Sequence, residues 1–172
     1  MKRKSLVDIL LASGLEDRAE AQTLAGVRTP GTSWTVDVLN SGKVDEVRFT
    51  EQLGEFFGTP VETMNITRLD RTVLTTLPSR FVFKHHILPL VVTEESVRLA
   101  TYDGFNTVAR RLASQLTNGK KIEWVLVPRT QLLRAIKTLY GVGAETFEEL
   151  LQNTRTYEAD NQDGAATDLN AD

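Results

Sequence analysis

Apolar residues in the first sixty positions recur at helical spacing and stop repeatedly at glycine. Leu6, Ile9 and Leu10, with Val7 and Leu11 beside them, predict a short helix closed by Gly14. Asp17 is placed to cap a second stretch, Arg18 to Ala25, ahead of the breakers Gly26, Pro30 and Gly31. Ser33 precedes Trp34, Val38 and Leu39, a run that ends at Gly42, so a short helix with a glycine stop occurs twice. Val44-Asp45 supplies a hydrophobic residue and an N-cap for a longer helix that carries Val47, Phe49, Leu53 and Phe56 to Gly58. Residues 1–58 are therefore expected to form a helical subdomain. Trp34, Phe49, Phe56 and Phe57 fall mostly inward at these spacings and are assigned to its core, with a partner surface as their second use.

From Thr59 to Ser79 the pattern loosens into a connector with Pro60, Pro78, many threonines and a short helix around Val73, Leu74 and Leu77. Ile87 to Thr93 and Ser96 to Tyr102 are rich in β-branched residues and are separated by Glu94-Glu95, which predicts a hairpin. Pro89 confines the first strand to an edge or a strand start, because it cannot donate to a ladder. Asp103 and Gly104 close the second strand, and Asn106 caps a helix whose apolar positions are Val108, Leu112 and Leu116, ended by Gly119. Ile122 to Val127 is a third strand, stopped by Pro128. Thr130 is expected to cap a last helix displaying Leu132, Leu133, Ile136, Leu139 and Tyr140 before Gly141. The predicted fold class is α+β, with a helical subdomain over 1–58 and a small β-β-α-β-α unit with its connector over 59–143. Residues 144–172 are acidic and poor in large apolar groups, and they are expected to be a mostly disordered linker or tail.

Composition narrows the function classes. With 172 residues, 41% hydrophobic and 25% charged, the chain is an ordinary globular protein with room for a core. It has no cysteine, which removes disulfides, thiolate catalysis and cysteine-held metals. The formal charge of −3 is uneven: Asn153 to Asp172 carries −4, which leaves the body at +1. That balance offers no strong electrostatic case for nucleic acid or anionic lipid. The opening MKRKSLVDILLASG has basic residues before a short apolar run, but Asp8 interrupts it, so an amphipathic helix is expected rather than a signal peptide. No stretch approaches the ~20 apolar residues of a membrane span, and the expected location is cytoplasmic.

Catalytic signatures are absent from the sequence as printed. There is no G-x-x-x-x-G-K-[ST], G-x-G-x-x-G or G-x-S-x-G. The only histidines, His85 and His86, are neighbours that would point in different directions, and they are assigned as partly exposed residues leading into a strand. Glu94-Glu95 and Glu148-Glu149 are assigned to a turn and a surface. Arg110-Arg111 and Lys120-Lys121 stand at the two ends of one helix without interleaved aromatics, which fits a solvated face better than a base-stacking one. Enzymatic activity, a metal and a bound cofactor are not expected.

The string LPSRFVFKHHILPLVVTEESVRLATYDGFNTVARRLASQL, followed by IEWVLVPRTQLLRAIKTLYG, resembles the N-terminal domain of the type II secretion and type IV pilus assembly ATPases. The matching features are Leu77-Pro78 before a short helix, Ile87-Leu88-Pro89-Leu90 opening a strand, Val97 to Ala100 as its partner and Asp103 at the turn. A helix, a strand and a last helix ending Tyr140-Gly141 follow, and the likeness spans about Ser5 to Gly141. It implies a domain that precedes a motor, joined to it by a flexible acidic linker, and that docks on the cytoplasmic domain of an inner-membrane secretion or pilus assembly protein. The C-terminal ATPase domain of the same chain is the second implied partner.

Some members of that family bind cyclic di-GMP through a tandem motif in the helical half that begins R-L-G, passes through a Leu and a Gly, and ends in Gln. Here Ser5-Leu6-Val7, Leu10 and Gly14 stand at the first copy's positions, and Ser33-Trp34-Thr35, Val38 and Gly42 at the second's. Both arginines are serines, and the closing glutamines fall on Arg28 and Phe56. The resemblance thus implies a retained scaffold with a lost ligand, and a degenerate cyclic dinucleotide sensor is the alternative. The first helix carries Leu6, Val7, Ile9, Leu10 and Leu11, more apolar residues than one buried stripe needs. Leu6, Ile9 and Leu10 are accordingly the candidate partner-binding residues.

Overall fold

The structure, a computed structural model, describes residues 4–141. The chain divides after Ile136, within the last helix, and apart from that helix's final turn the architecture below belongs to the first unit.

Four helices come first: α1 (Leu6–Ala12), α2 (Arg18–Ala25), α3 (Trp34–Ser41) and α4 (Glu46–Phe57). They form where the caps and glycines place them. Ser5, Asp17, Ser33 and Asp45 each accept a backbone N–H of the following first turn, satisfying donors that a helix start otherwise leaves open. Gly42 and Gly58 end α3 and α4 in the left-handed conformation, at φ 70° and 66°. The recurrence of short helix and glycine stop extends further than the glycines. Ser5 and Ser33, Gly14 and Gly42, and Asp17 and Asp45 occupy equivalent places in two consecutive helix pairs.

The connector packs as two 3-10 turns, Ile66–Arg68 and Arg71–Thr75, capped by Asn65 and Asp70, and α5 (Ser79–His85) follows. The sheet holds β1 (Leu88–Val92), β2 (Ser96–Thr101) and β3 (Lys121–Leu126) in that order. β1 and β2 are antiparallel, and their register slips between Pro89 and Val91, so the proline sits on an edge strand as expected. β3 runs parallel to β2, which requires the crossover helix α6 (Thr107–Leu116). The last helix is α7 (Arg129–Tyr140).

Two sequence expectations need correction. Thr130 is not the cap of α7. That helix starts one residue earlier, directly after Pro128, and Glu46 at the start of α4 accepts from both the Thr130 amide (3.0 Å) and its hydroxyl (3.1 Å). The cap is supplied from a distant element, which no local pattern could reveal. In α6 the large aliphatics do not all turn inward: Ala109 and Ala113 are buried, while Val108 is 60% and Leu116 39% exposed. Alanines at the contact let the helix lie close to its neighbours, and the same spacing then leaves Val108 and Leu116 outside. His85 and His86 are partly exposed and lead into β1 as expected. His85 ends α5, and His86 caps it in the left-handed conformation at φ 55°.

One core cluster joins Ile9, Leu10, Leu15, Ala21, Leu24, Trp34, Val38, Phe49 and Leu53 of the helical half with Leu126 of β3. The link is built from Pro60 to Glu62, which pairs with the outer edge of β3. Leu126 donates to the Pro60 carbonyl (2.8 Å) and accepts from Glu62 (2.9 Å), with Val61 bridging Leu126. Val61 in turn sits against Gly54 of α4, where a Cβ would come within 2.4 Å of its Cγ2. Gly54 is therefore a close-approach glycine that seats the helices on the sheet.

Candidate functional site

The candidate region is the paired helical hairpin and the seam it shares with the turn after β2. Ser5 caps α1 in a full capping box, its hydroxyl accepting from Asp8 N (3.1 Å) while the Asp8 carboxylate accepts from Ser5 N (3.1 Å). Ser33 caps α3 and also donates to Asp103 Oδ2 at 2.5 Å. Asp103, 7% exposed, accepts in addition from Phe105 N (3.0 Å), so its buried carboxylate is held by two neutral donors. The two serines at the places of the motif's arginines are thus committed to holding helices and turn.

Around this seam lies an aromatic cluster. The Trp34 ring meets Phe49 and Phe105 edge-on at centroid distances of 5.7 and 5.9 Å, and Phe57 meets Phe105 at 4.8 Å. Trp34 donates its indole N–H to Leu24 O (3.0 Å), tying α3 to the end of α2. Phe56, at the second copy's closing position, joins Phe57 and Phe105 in the same cluster. The assignment of these rings to the core holds for Trp34 and Phe49, while Phe56 and Phe57 are half-buried. No sequence signal marks Phe105, which follows a turn and belongs to no periodic run. Gly104 beside it is required for the Phe57 ring: a Cβ there would meet Cε2 at 2.5 Å.

Arg28, at the first copy's closing position, donates Nη1 to Ala25 O (3.0 Å) and Val27 O (2.6 Å), so its guanidinium folds back on its own loop. A cavity of about 220 Å³ opens nearby, lined by Val27, Arg28, Thr29, Pro30, Thr32, Trp34 and Asp37. One carboxylate oxygen of Asp37 accepts from the Thr32 hydroxyl (3.0 Å), while the other, Oδ2, is buried without a donor. Asp37 carried no signal in the sequence, since an acid in the first turn of a helix is ordinary.

In α1, Ile9 and Leu10 have no exposed surface, whereas Leu6, Val7 and Leu11 are partly buried against the same core. Of the candidate set Leu6, Ile9 and Leu10, only Leu6 reaches the surface in this conformation. The histidines stay apart from the hairpin's caps: His85 stacks near Phe81 (4.8 Å) and His86 near Tyr102 (5.9 Å). Burial, with a smaller push from Lys84, holds the His85 pKa below 6.5. Burial and the Asp103 charge raise the Tyr102 phenol, opposed by Arg129. Among the described residues no group of three or more histidine or acidic side chains could hold a metal, and no helix is long and apolar enough to cross a membrane. Glu148, Glu149 and the acidic end lie outside the described residues.

The MshEN domain family matches residues 57–146, just over half of the chain, and the chain belongs to that family. This is the family of N-terminal domains of secretion and pilus assembly ATPases that the sequence resembles, which makes the chain a domain of such an ATPase. Its fold is similar to that of MshE in a structure of MshE with cdg, at 21% identity and a TM-score of 0.63, covering 80% of this chain and all of the other. It is also similar to the N-terminal domain of XpsE, at 19% identity and a TM-score of 0.56, covering 80% of this chain and 97% of that one. No curated protein matches the chain.

Proposed function

We propose that the chain is a non-catalytic docking and regulatory domain. It tethers the motor of a secretion or pilus assembly ATPase to the cytoplasmic domain of an inner-membrane assembly protein, and so works in the cytoplasm at that membrane through a protein partner. The observation that carries this is the fate of the tandem motif. Its scaffold of caps, glycines and apolar residues is kept, while Ser33 is spent on Asp103 and Arg28 on its own backbone carbonyls. Nothing at those positions is free to grip a phosphate or a guanine edge. What the hairpin retains is a folded platform at the chain's start, with Leu6, Val7 and Leu11 partly open on α1. Ile9 and Leu10 are fully buried in the core and become available to a partner only if α1 shifts.

A cyclic dinucleotide sensor with a degenerate site is the second reading. MshE was solved with cdg, and the Asp37 oxygen without a donor beside an open cavity is the observation in favour of this reading. Calorimetric titration of the protein with cyclic di-GMP separates the two. Docking predicts no saturable heat at micromolar ligand. A micromolar or tighter dissociation constant that Asp37→Asn abolishes would install the sensor.

A further inference from the structure

Asparagine followed by glycine occurs once in the chain, at Asn118-Gly119. The pair ends the crossover helix. α6 stops at Leu116, Thr117 is its C-cap, and Asn118 and Gly119 turn the chain back with φ of 57° and 76°. Both stand exposed, and a Cβ on Gly119 would meet nothing within 4 Å. The backbone bonds that these two residues donate are long. Asn118 N lies 3.4 Å from Gln115 O and Gly119 N 3.5 Å from Ser114 O, against about 2.9–3.0 Å for an ordinary N–H···O bond. The other described asparagines are held by their side chains: Asn40 accepts from Arg129 (2.8 Å), Asn65 from Thr67 N (3.2 Å) and Asn106 from Ala109 N (3.1 Å). The Asn118 side chain has no hydrogen bond.

We propose that Asn118 is a site of spontaneous covalent modification, an asparagine whose turn leaves it open to attack by the following backbone nitrogen. The Gly119 nitrogen, having lost its proton to a base in solution, attacks the side-chain carbonyl carbon of Asn118. A C–N bond forms, the bond to the side-chain amino group breaks, and ammonia leaves with a proton taken from water. Water then opens the five-membered succinimide at one of its two carbonyls. The product is aspartate or, with the main chain rerouted through Cβ, isoaspartate. Water is consumed and ammonia released, with no oxidation. Glycine keeps the attacking nitrogen reachable, because it has no Cβ beside that atom. The consequence falls on the passage from α6 to β3. Either product puts a negative charge at the C-terminal end of α6, where the helix dipole disfavours it. Isoaspartate also lengthens the main chain inside the turn spanned by the Lys120 N to Thr117 O bond (3.2 Å), just ahead of Lys121, which opens the parallel ladder opposite Ser96.

The intact protein is incubated at mildly alkaline pH beside a free peptide of sequence Leu-Thr-Asn-Gly-Lys, and both are followed by mass spectrometry. The tryptic fragment 112–120 has Asn118 as its only asparagine, so conversion of amide to acid is read at that site alone. The folded chain is expected to convert within about tenfold of the peptide's rate, an opening cost of no more than about 1.4 kcal/mol. Aspartate and isoaspartate should both form, while Asn40, Asn65 and Asn106 stay intact. N118G suits the left-handed φ without strain and should show no conversion in that fragment. The isoaspartate form, separated by anion exchange, should show faster amide exchange at Lys120 and Lys121 than the parent. An Asn118 amide that persists after the peptide is consumed, or equal conversion at Asn40, Asn65 and Asn106, would overturn the proposal. So would aspartate formed without isoaspartate, which would mean direct hydrolysis, or an isoaspartate form whose exchange at Lys120 and Lys121 is unaltered.

Discussion

Replacing Gly54 by alanine tests how the two halves are joined. At an open position in the middle of a helix the exchange would stabilise the protein by about 1 kcal/mol, because glycine loses more backbone freedom than alanine on folding. At Gly54 the new methyl would lie 2.4 Å from Val61 Cγ2 and 2.9 Å from the Thr59 carbonyl oxygen. Neither neighbour can easily give. Thr59 N is bonded to Gly54 O at 2.9 Å, and Val61 is flanked by the Pro60 and Glu62 bonds to Leu126. Overpacking a site of this kind costs about 1–3 kcal/mol, which outweighs the propensity gain, so the net change should be destabilising by about 1 kcal/mol. In urea, with a slope of about 1–3 kcal/mol/M, the midpoint should fall by about 0.5 M. Trimming the obstacle with Val61→Ala should restore part of the loss, giving a coupling energy of about 1 kcal/mol in the double-mutant cycle. Gly26→Ala is the internal control, since its Cβ would find nothing nearer than 3.6 Å at an ordinary negative φ. If Gly54→Ala raised the midpoint, α4 would not be seated on the sheet through Val61 and the joint described here would be wrong.

Other consequences are as definite. Ser33→Ala removes both a helix cap and a donor to buried Asp103, and should cost about 2 kcal/mol in denaturation; Ser5→Ala, capping an exposed turn, should cost less than half of that. Glu46→Ala strips the cap of α7 and should lower stability by about 1 kcal/mol, with faster amide exchange at Thr130 as the local readout. His85 has a folded pKa below its unfolded value of 6.5, so the unfolded chain binds the proton more readily and stability must fall as pH drops below 6.5. NMR titration of the His85 ring should give a midpoint under 6.5, and His85→Gln should remove that part of the acid dependence; a midpoint at or above 6.5 would contradict the burial that causes it.

Much of the helical half could be foreseen because its signals are local. Ser or Asp before an apolar run and Gly after it specify where a helix starts and stops, and the N-caps expected at Asp17 and Asp45 both appear, with Ser5 and Ser33 capping the other two helices. Pro89 on an edge strand followed from the missing donor alone. What could not be foreseen involves partners far apart in sequence. Glu46 capping α7, Ser33 bonding Asp103 and Pro60 to Glu62 pairing with β3 all span long separations. On α6 periodicity marks a stripe of apolar residues without saying which side of it meets the sheet, where Ala109 and Ala113 are buried. The candidate site was legible as an absence, two missing arginines, but the engagements that replaced them were not.

The central claim is that this domain docks on a membrane-anchored assembly protein through its helical half. Its most direct measurement is the affinity of the intact chain for the cytoplasmic domain of the cognate assembly protein, taken for the unmodified protein and for Leu6→Asp. The account predicts saturable binding that Leu6→Asp weakens at least about tenfold with little change in melting temperature, Leu6 being only partly buried. Binding that is absent, or that Leu6→Asp leaves unchanged, would contradict it.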